Sequence, residues 1–525
     1  MDRLHSTLTR PMRPEVGGAS ARDIGTAASL GALATLVSLL GSWIPSLWGD
    51  EAASAMSAQR SIPSLFRMLG QVDAVHGAYY LGLHAWVKVV GTSPFSLRLP
   101  SAFAVGLTVM AVVVLVRRLS TPRVAIAAGI LCAVLPRVTY MGEEARSFAF
   151  SSAIAAWLTV LLVEAVRRRP GSAVLWIGYG VLLTLGIYLF LFVTLFAVVY
   201  LAVLLGARLS GADRRALLWR WAAATGAAFV AAMPLFALAL HEREQIAYLT
   251  TAPQITFVTI ALGLWFGNAW WFAAAAWLLL VVVGVDAVVR MVHSRRDRIS
   301  AAPGVSLELV AGAWLLVPSV LLIMSHFVLE DFTARYLSFC APAAAILIAV
   351  AVDLLAARFA PAHDTAKAPE SRMFLAGVLL LVALAVPVYL SQRQPFSKND
   401  SDWAQISATL ARHSTPGDAV VFDETARPSL RPRLAMHTYP DGFAGLRDVT
   451  LEVPFQRNRT WYDKAYRVER ALELGRFAGV DRVWLVEYSD GIAPDSYGLP
   501  ALRAAGFSVV QRLDGHRSVI LELAR

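Results

Sequence analysis

Apolar residues along this chain fall into blocks of about twenty, and short segments rich in arginine separate the blocks. A helix of that length crosses the roughly 30 Å hydrocarbon core of a bilayer. The pattern therefore predicts a polytopic α-helical membrane protein with about eleven transmembrane helices. The predicted spans are 24–45, 96–116, 124–140, 147–166, 173–189, 190–207, 221–239, 270–290, 305–325, 336–357 and 373–391.

The arginines predict which side of the membrane each loop occupies, because lysine and arginine are enriched in cytoplasmic loops. The N-terminal arm 1–23 carries four arginines and no apolar core, and no small-residue cleavage site follows it. We therefore expect a cytoplasmic arm ahead of an uncleaved anchor. The other predicted cytoplasmic loops are 117–123, 167–169, 208–220, 290–298 and the weaker 358–372.

This orientation requires two shorter apolar stretches, 78–90 and 255–267, to stay out of the membrane core. Both are too short for comfortable spanning, and we interpret them as helices that lie at the outer surface. The alternative is that both are short spans and that the assigned sidedness is wrong.

Composition supports the membrane assignment and excludes several other classes. The chain is 57% apolar and 16% charged, whereas globular proteins average about 45–50% and about 25%. The formal charge of +10 comes from arginines between the apolar blocks, which favours a topological role over nucleic-acid binding. Cys132 and Cys340 lie inside apolar blocks, so neither predicts a disulfide or a metal site.

The tail, residues 392–525, regains charges and prolines and predicts a small α/β domain outside the cytoplasm. Trp461, Tyr462 and Trp484 in this domain could line a carbohydrate groove or could be core residues. The predicted elements are a helix at 402–413, strands at 419–422 and 483–486, a helix at 499–505, and a closing strand pair at 507–510 and 518–523.

Ionisable and polar aromatic residues concentrate in the predicted outer loops, above all in the first outer loop 46–95, whereas the span interiors hold almost none. A proton- or ion-coupled transporter needs such groups near the middle of the membrane. An enzyme acting on a lipid-linked substrate needs them at the interface, where the phosphate lies. The candidate residues are Asp50, Glu51, Asp73, His76, Tyr79, Arg98, Glu143, Glu144, Arg146, His326, Arg335 and Tyr336.

Transfer of a sugar from a polyprenyl phosphate would use this set of residues. The phosphate leaves readily and needs cations that take up its developing charge, which arginine does with two hydrogen bonds. One carboxylate must also take the proton from the acceptor hydroxyl. We predict no required cofactor, because arginines can fill the electrostatic role; a divalent metal is possible but not indicated by any histidine and carboxylate cage.

Several motifs resemble those of the GT-C glycosyltransferases, in the branch of protein O-mannosyltransferases, aminoarabinose transferases and bacterial relatives. The resemblance covers nearly the whole chain. It is carried by Trp48-Gly49-Asp50-Glu51, the stretch 76–80, Leu97-Arg98-Leu99-Pro100-Ser101-Ala102, Glu144-Ala145-Arg146-Ser147-Phe148, Ser325-His326, Ala334-Arg335-Tyr336-Leu337 with Pro342, Asp402-Trp403 and Pro416-Gly417-Asp418.

The resemblance implies roles for particular residues. Asp50 matches the acid usually assigned as catalytic base, and Glu51 matches its supporting neighbour. Arg98 and Arg146 match arginines that meet the lipid phosphate, and Arg335 is a further candidate for that role. His76 stands where relatives have a histidine or lysine followed by two prolines; here Gly77 and Ala78 replace the prolines, which changes the expected loop geometry.

The resemblance implies that the chain transfers a sugar from a polyprenyl-phosphate donor to a hydroxyl of a protein, glycolipid or polysaccharide at the outer face of the cell membrane, with inversion. Mannose is the favoured sugar, and aminoarabinose or another pentose is the alternative. From other classes, a non-catalytic lipid or glycolipid transporter and a cell-wall-binding scaffold also stay open. The implied partners are the lipid donor, the acceptor and membrane lipid, with no nucleic acid.

Overall fold

The computed structural model describes residues 21–168, 171–242, 254–297, 304–329, 332–359, 368–489 and 497–525. Almost all of the predicted arm 1–23, and parts of the predicted cytoplasmic loops 167–169, 290–298 and 358–372, lie outside these ranges.

Each predicted span coincides with a helix in the structure. Within the described residues, seven helices are long and apolar enough to cross a membrane, and an eighth crossing is possible if a bent helix pair counts as one span. The membrane domain consists of α1 (Ala21–Leu39), α5 (Pro94–Leu119), α6 (Pro122–Val134), α7 (Pro136–Gly142), α8 (Phe148–Arg168), α9 (Ala173–Leu189), α10 (Phe196–Gly206), α11 (Gly211–His241), α12 (Trp270–Asp297), α13 (Leu307–Leu329), α14 (Ala341–Phe359) and α15 (Ala368–Gln392).

The bent pair, α6 and α7, turns by 59° at Leu135 and Pro136. Proline has no backbone N–H and pushes the residue before it out of the helical conformation, and Leu135 is accordingly extended, with ψ of 129°. The bend redirects the chain into the turn 143–147, which carries three of the predicted site residues. A single apolar block thus becomes two helices, and its far end belongs to the site.

The first outer loop folds into short helices: α2 (Gly49–Ala58), α3 (Ile62–Leu69), a 3-10 turn (Ala74–His76) and α4 (Gly77–Val90). The predicted helix at 78–90 is therefore confirmed as a helix. The predicted helix over 255–267 is wrong in extent: only a π-helical turn, Val258–Gly263, forms there. It ends because Gly267 and Asn268 both adopt left-handed backbone angles, which a continuing helix cannot accommodate.

The C-terminal segment forms a five-stranded mixed sheet in the order β2 (Arg447–Asp448), β1 (Ala419–Phe422), β5 (Arg482–Tyr488), β7 (Ser518–Ala524) and β6 (Ser508–Asp514). Strand β1 pairs in parallel with β2 and β5, while β7 pairs antiparallel with β5 and β6. The elements are α16 (Trp403–His413), β1 (Ala419–Phe422), α17 (Leu434–Thr438), β2 (Arg447–Asp448), β3 (Leu451–Val453), β4 (Lys464–Ala465), α18 (Val468–Glu473), β5 (Arg482–Tyr488), α19 (Leu499–Ala504), β6 (Ser508–Asp514) and β7 (Ser518–Ala524).

One face of this sheet joins the C-terminal domain to the first outer loop. The hydrophobic core on this face of the sheet contains Phe422 and Trp484 from the sheet and Ala52 and Met56 from α2. Trp484 is fully buried, so it is a core residue rather than part of a carbohydrate groove. Helix α2, whose first turn contains Asp50, is therefore held on one side by the C-terminal domain.

Candidate active site

Asp50 lies in the first turn of α2, where the helix dipole favours a negative charge. Its carboxylate forms an ion pair with Arg335, from the 3-10 segment Ala334–Cys340, and Arg146 Nε lies 4.0 Å from the same Oδ2 atom. The exposed fractions of the Asp50 and Arg335 side chains are 20% and 23%, so this pair is accessible to solvent. The structure thus brings together one carboxylate and two arginines that the sequence placed far apart.

A chain of hydrogen bonds continues from Arg146 into the first outer loop. Arg146 Nη1 donates to the Tyr80 hydroxyl at 3.1 Å, and Tyr80 donates to Asp73 Oδ2. His76 Nε2 lies 3.9 Å from Asp73 Oδ1, and Asp73 adopts a left-handed backbone (φ 62°) as the chain turns into Ala74–His76. These contacts connect Asp73 and His76 to Asp50.

The charges around Asp50 set its protonation state. Burial raises the pKa of Asp50, but the nearby Arg335 and Arg146 outweigh that effect, and the net pKa lies below its ordinary value. Burial and the neighbouring Arg146 lower the pKa of His76 to about 4, although Asp73 and Asp50 oppose the change. At neutral pH, Asp50 is ionised and His76 is uncharged.

Glu51 and Arg98 form a separate, fully buried pair. Arg98 Nε and Nη2 donate to the two Glu51 oxygens at 2.7 and 2.6 Å, and the remaining N–H groups donate to the carbonyls of residues 42, 45 and 46. All five guanidinium donors are therefore used inside the protein. The geometry gives no support to the predicted phosphate contact of Arg98, because a phosphate could reach it only by breaking this pair. Glu51 also accepts a hydrogen bond from the Ala145 N–H at 2.9 Å, which holds the 143–147 turn against α2.

Glu143 and Glu144 point to different surroundings. Glu143 is fully buried, with Arg393 Nη1 at 3.2 Å and Lys398 Nζ at 3.6 Å, so it is a structural ion partner rather than a substrate contact. Glu144 is 2% exposed, and its Oε1 has no hydrogen-bond partner among the described residues. It lines a cavity of about 460 Å³ together with Trp48, Arg137, Tyr140 and Arg335.

Three predicted residues lie in aromatic packing outside the Asp50 network. Tyr79 is almost fully buried and packs edge-on against Phe150, with ring centroids 5.8 Å apart. Tyr336 packs against Phe192 at 5.0 Å. His326 ends α13, where its Nδ1 accepts a hydrogen bond from the Phe332 N–H at 3.1 Å. None of these contacts is to Asp50, although Tyr79 also packs against Tyr80 of the Asp50 network, with ring centroids 6.2 Å apart.

Comparison with known proteins finds similar folds and one partial sequence match. Residues 78–226 match the family model described as dolichyl-phosphate-mannose-protein mannosyltransferase. The fold is similar to that of ArnT from Cupriavidus metallidurans in the apo state and bound to undecaprenyl phosphate, with TM-scores of 0.53 and 0.55 and 14% identity, over 95% of this chain and 98% of that chain. The chain therefore has the fold of these structures, and residues 78–226 are similar in sequence to the mannosyltransferase family.

A second similar structure supports the same fold for this chain. The archaeal oligosaccharyltransferase AglB from Archaeoglobus fulgidus, in complex with an inhibitory peptide and a dolichol-phosphate, matches with a TM-score of 0.51 and 12% identity over 88% of this chain and 69% of that chain. No curated protein sequence matches the chain significantly. At these identities, the structural likenesses establish the fold alone.

Three residues beside the candidate site were not among the predicted site residues. Trp461 donates its Nε1 proton to Asp73 Oδ2 at 3.3 Å, so the C-terminal domain reaches the candidate site. Arg393 and Lys398, which surround Glu143, follow the last apolar block on its predicted outer side. Basic residues are depleted on that side of a membrane, and this anomaly was the available signal that the two residues have a buried partner.

The structure also contains a long apolar groove between α9 and α11. Its volume is about 1230 Å³, and Ala78 lies at one end and Arg220 at the other. Small residues such as Gly180 and Ala227 line much of it. Ala78 follows His76 by two residues, so the groove opens beside the Asp50 network.

Proposed function

We propose that this glycosyltransferase transfers mannose from a polyprenyl-phosphate donor to a hydroxyl group of an acceptor, with Asp50 as the general base. The observation that carries the proposal is the accessible Asp50 carboxylate held between Arg335 and Arg146. The site contains the one base and the two cations that this reaction requires. The family description supports mannose, while the fold shared with ArnT favours a test of aminoarabinose and other pentoses as well.

The proposed reaction is a single displacement. The acceptor hydroxyl gives its proton to an Asp50 oxygen as its own oxygen bonds to the anomeric carbon of the sugar. The bond from that carbon to the phosphate oxygen breaks, and polyprenyl phosphate leaves with the electron pair. Attack opposite to the leaving group inverts the anomeric centre. Arg335 and Arg146 stabilise the charge that develops on the phosphate.

Donor binding would also activate the base. In the structure, Arg335 and Arg146 lower the pKa of Asp50, which makes the carboxylate a weak proton acceptor. A bound phosphate attracts the same guanidinium groups, so the Asp50 carboxylate becomes more basic once the donor is in place. The proposal thus implies that the donor binds before the acceptor is deprotonated.

The two cavities support an assignment of substrates. The apolar groove between α9 and α11 suits a polyprenyl chain, because it is lined by apolar side chains and ends beside His76. The polar cavity lined by Glu144 suits a hydroxyl-bearing acceptor, because an unpaired buried carboxylate oxygen requires a hydrogen-bond donor. The Glu144 cavity is lined by Arg335, the ion partner of Asp50, and the apolar groove reaches Ala78, two residues after His76.

We further propose that all eleven predicted spans cross the cell membrane, which adds α1, α9 and the Leu191–Gly206 segment to the apolar helices described above. The arginine-rich loops support a cytoplasmic N-terminus and an extracytoplasmic C-terminal domain.

Arginines rather than a metal would supply the electrostatic catalysis. We therefore expect transfer to persist when divalent metals are chelated.

The test is transfer of radiolabel from polyprenyl-phosphate-mannose to endogenous acceptors in membranes that contain the wild type or the Asp50→Asn variant. The exposed Asp441→Asn variant is the matched control. Label transfer that requires Asp50 but not Asp441 supports the donor class and the base, and the labelled product identifies the acceptor. Normal transfer by Asp50→Asn would show that Asp50 is not the base. If the folded wild type transfers no mannose, mannose is wrong and a panel of pentose donors comes next. Failure of that panel would overturn the proposal.

A further inference from the structure

A loop of the C-terminal domain, residues 454–463, is fastened to the first outer loop by Arg60. Arg60 is fully buried, and among the described residues no carboxylate lies within 4.0 Å of it. Its Nη1 donates to the Asn458 carbonyl at 2.9 Å and its Nη2 to the Thr460 carbonyl. Its guanidinium also lies over the Phe455 ring at 5.5 Å. Burial of a cation costs free energy unless other contacts compensate for it. The two hydrogen bonds and the ring contact therefore stabilise the buried Arg60 side chain.

The 454–463 loop is also fixed internally. Asp463 accepts hydrogen bonds from the Phe455 N–H and from the His437 ring, both at 2.6 Å. The Asn458 side chain donates to the Tyr462 carbonyl at 2.8 Å. The 454–463 loop is therefore held in one conformation. Arg60, which lies between α2 and α3, attaches the loop to these two helices.

The result of this arrangement is the position of Trp461. Its Nε1 donates to Asp73, which is linked through Tyr80 and Arg146 to Asp50. The indole ring is only partly buried and packs beside the core of the first outer loop. Because the N–H group is occupied by Asp73, the ring has a fixed orientation at the edge of the network.

We propose that Trp461 contacts the sugar of the lipid-linked donor and that Arg60 is a positioning residue that acts through the 454–463 loop. The inference rests on the proposed function. Arg146 is a candidate for the donor phosphate, and Trp461 is joined to Arg146 through only two residues, so a sugar attached to that phosphate lies within reach of the indole. An indole has an apolar face against which the C–H groups of a sugar ring pack, while its polar end stays bonded.

The test compares the binding of two ligands to protein in nanodiscs: polyprenyl phosphate without a sugar and a panel of polyprenyl-phosphate sugars. We expect the wild type to bind one sugar-bearing donor more tightly than the bare phosphate. Trp461→Ala should reduce that preference, which is the ratio of the two affinities, by about tenfold. It should leave binding of the bare phosphate unchanged. Arg457→Ala, an exposed change in the same loop, should behave as the wild type does.

Arg60→Ala should reduce the same preference, and Trp461→Ala combined with Arg60→Ala should cause no further loss, because both act through one indole. A loss of bare-phosphate binding in Arg60→Ala would instead indicate general damage and overturn the positioning role. Unchanged sugar preference in Trp461→Ala, or a wild type that does not distinguish any donor from bare phosphate, would overturn the inference. Since binding is measured without turnover, this result is independent of whether Asp50 is the catalytic base.

Discussion

Asp50 and Arg335 are separated by 285 residues in the sequence, yet their side chains form a direct ion pair. Arg146 Nε lies 4.0 Å from the same Asp50 oxygen, so one carboxylate partly neutralises two guanidinium groups. A phosphate would attract the same two groups. Under the proposed function, the donor phosphate and Asp50 would therefore compete for the same guanidinium groups. Two predictions arise from that competition.

Asp50→Asn should bind polyprenyl phosphate more tightly than the wild type, although it should transfer no sugar. The substitution removes a negative charge that repels the phosphate and occupies Arg335, and we expect affinity to rise by about threefold or more. Equilibrium binding to protein in nanodiscs measures the effect, and Asp441→Asn should show no change. Weaker binding in Asp50→Asn would mean that Asp50 helps to hold the donor instead of competing with it.

Arg335→Ala should move the pH dependence of transfer. Arg335 is the strongest of the neighbouring charges that lower the pKa of Asp50, so its removal should raise that pKa. A base works only when deprotonated, and the acidic limb of kcat/KM should therefore shift to higher pH. Loss of one charge-assisted contact should also weaken phosphate binding by about tenfold or more.

The exposed Arg412→Ala variant is the control for Arg335→Ala and should leave both the pH profile and phosphate binding unchanged. Arg335→Lys keeps the charge and should shift the acidic limb less than alanine does. An acidic limb that stays in place in Arg335→Ala would show that another group, not Asp50, titrates in the profile.

Hydrophobic periodicity predicted the helices well, because each apolar block has few alternatives to a helix in a membrane. The concentration of ionisable residues in the predicted outer loops, together with the family resemblance, predicted that Asp50, Asp73, His76, Arg146 and Arg335 gather at one site. Neither signal separates Arg98 from Arg146 and Arg335, which stay candidates for phosphate binding. Sequence shows that an arginine is present, but only the fold shows that Glu51 and three carbonyls use all of its donors.

The contribution of the C-terminal domain was equally hidden from the sequence. Trp461 and Asp73 are 388 residues apart, and nothing in local spacing relates them. Trp461 and Trp484 look alike as isolated aromatic residues in a small domain. The structure separates them, because Trp484 fills the sheet core while Trp461 reaches Asp73.

The buried Glu51–Arg98 pair should be essential for stability. Glu51→Gln leaves the Arg98 charge buried without its counterion, and loss of one partner of such a pair costs about 3–5 kcal/mol of unfolding free energy. Thermal unfolding in detergent should show the loss directly. Asp23→Asn, which removes the partner of the more exposed Arg117, should cost less than about 1 kcal/mol. Similar losses of unfolding free energy in both variants would contradict the prediction that the buried pair stabilises the fold more than the exposed pair does.

Gly49→Ala should impair transfer by displacing Asp50. A Cβ atom at residue 49 would lie 2.6 Å from the Ser429 carbonyl oxygen and 2.7 Å from its Cβ, and the backbone at Ser429 cannot yield as a flexible side-chain tip does. Either α2 shifts with Asp50 on its first turn, or the C-terminal domain moves away. Gly82→Ala, in α4, meets no atom within 4 Å and should retain activity with equal or higher stability. Full activity in Gly49→Ala would show that close contact between the C-terminal domain and α2 is not required to position Asp50.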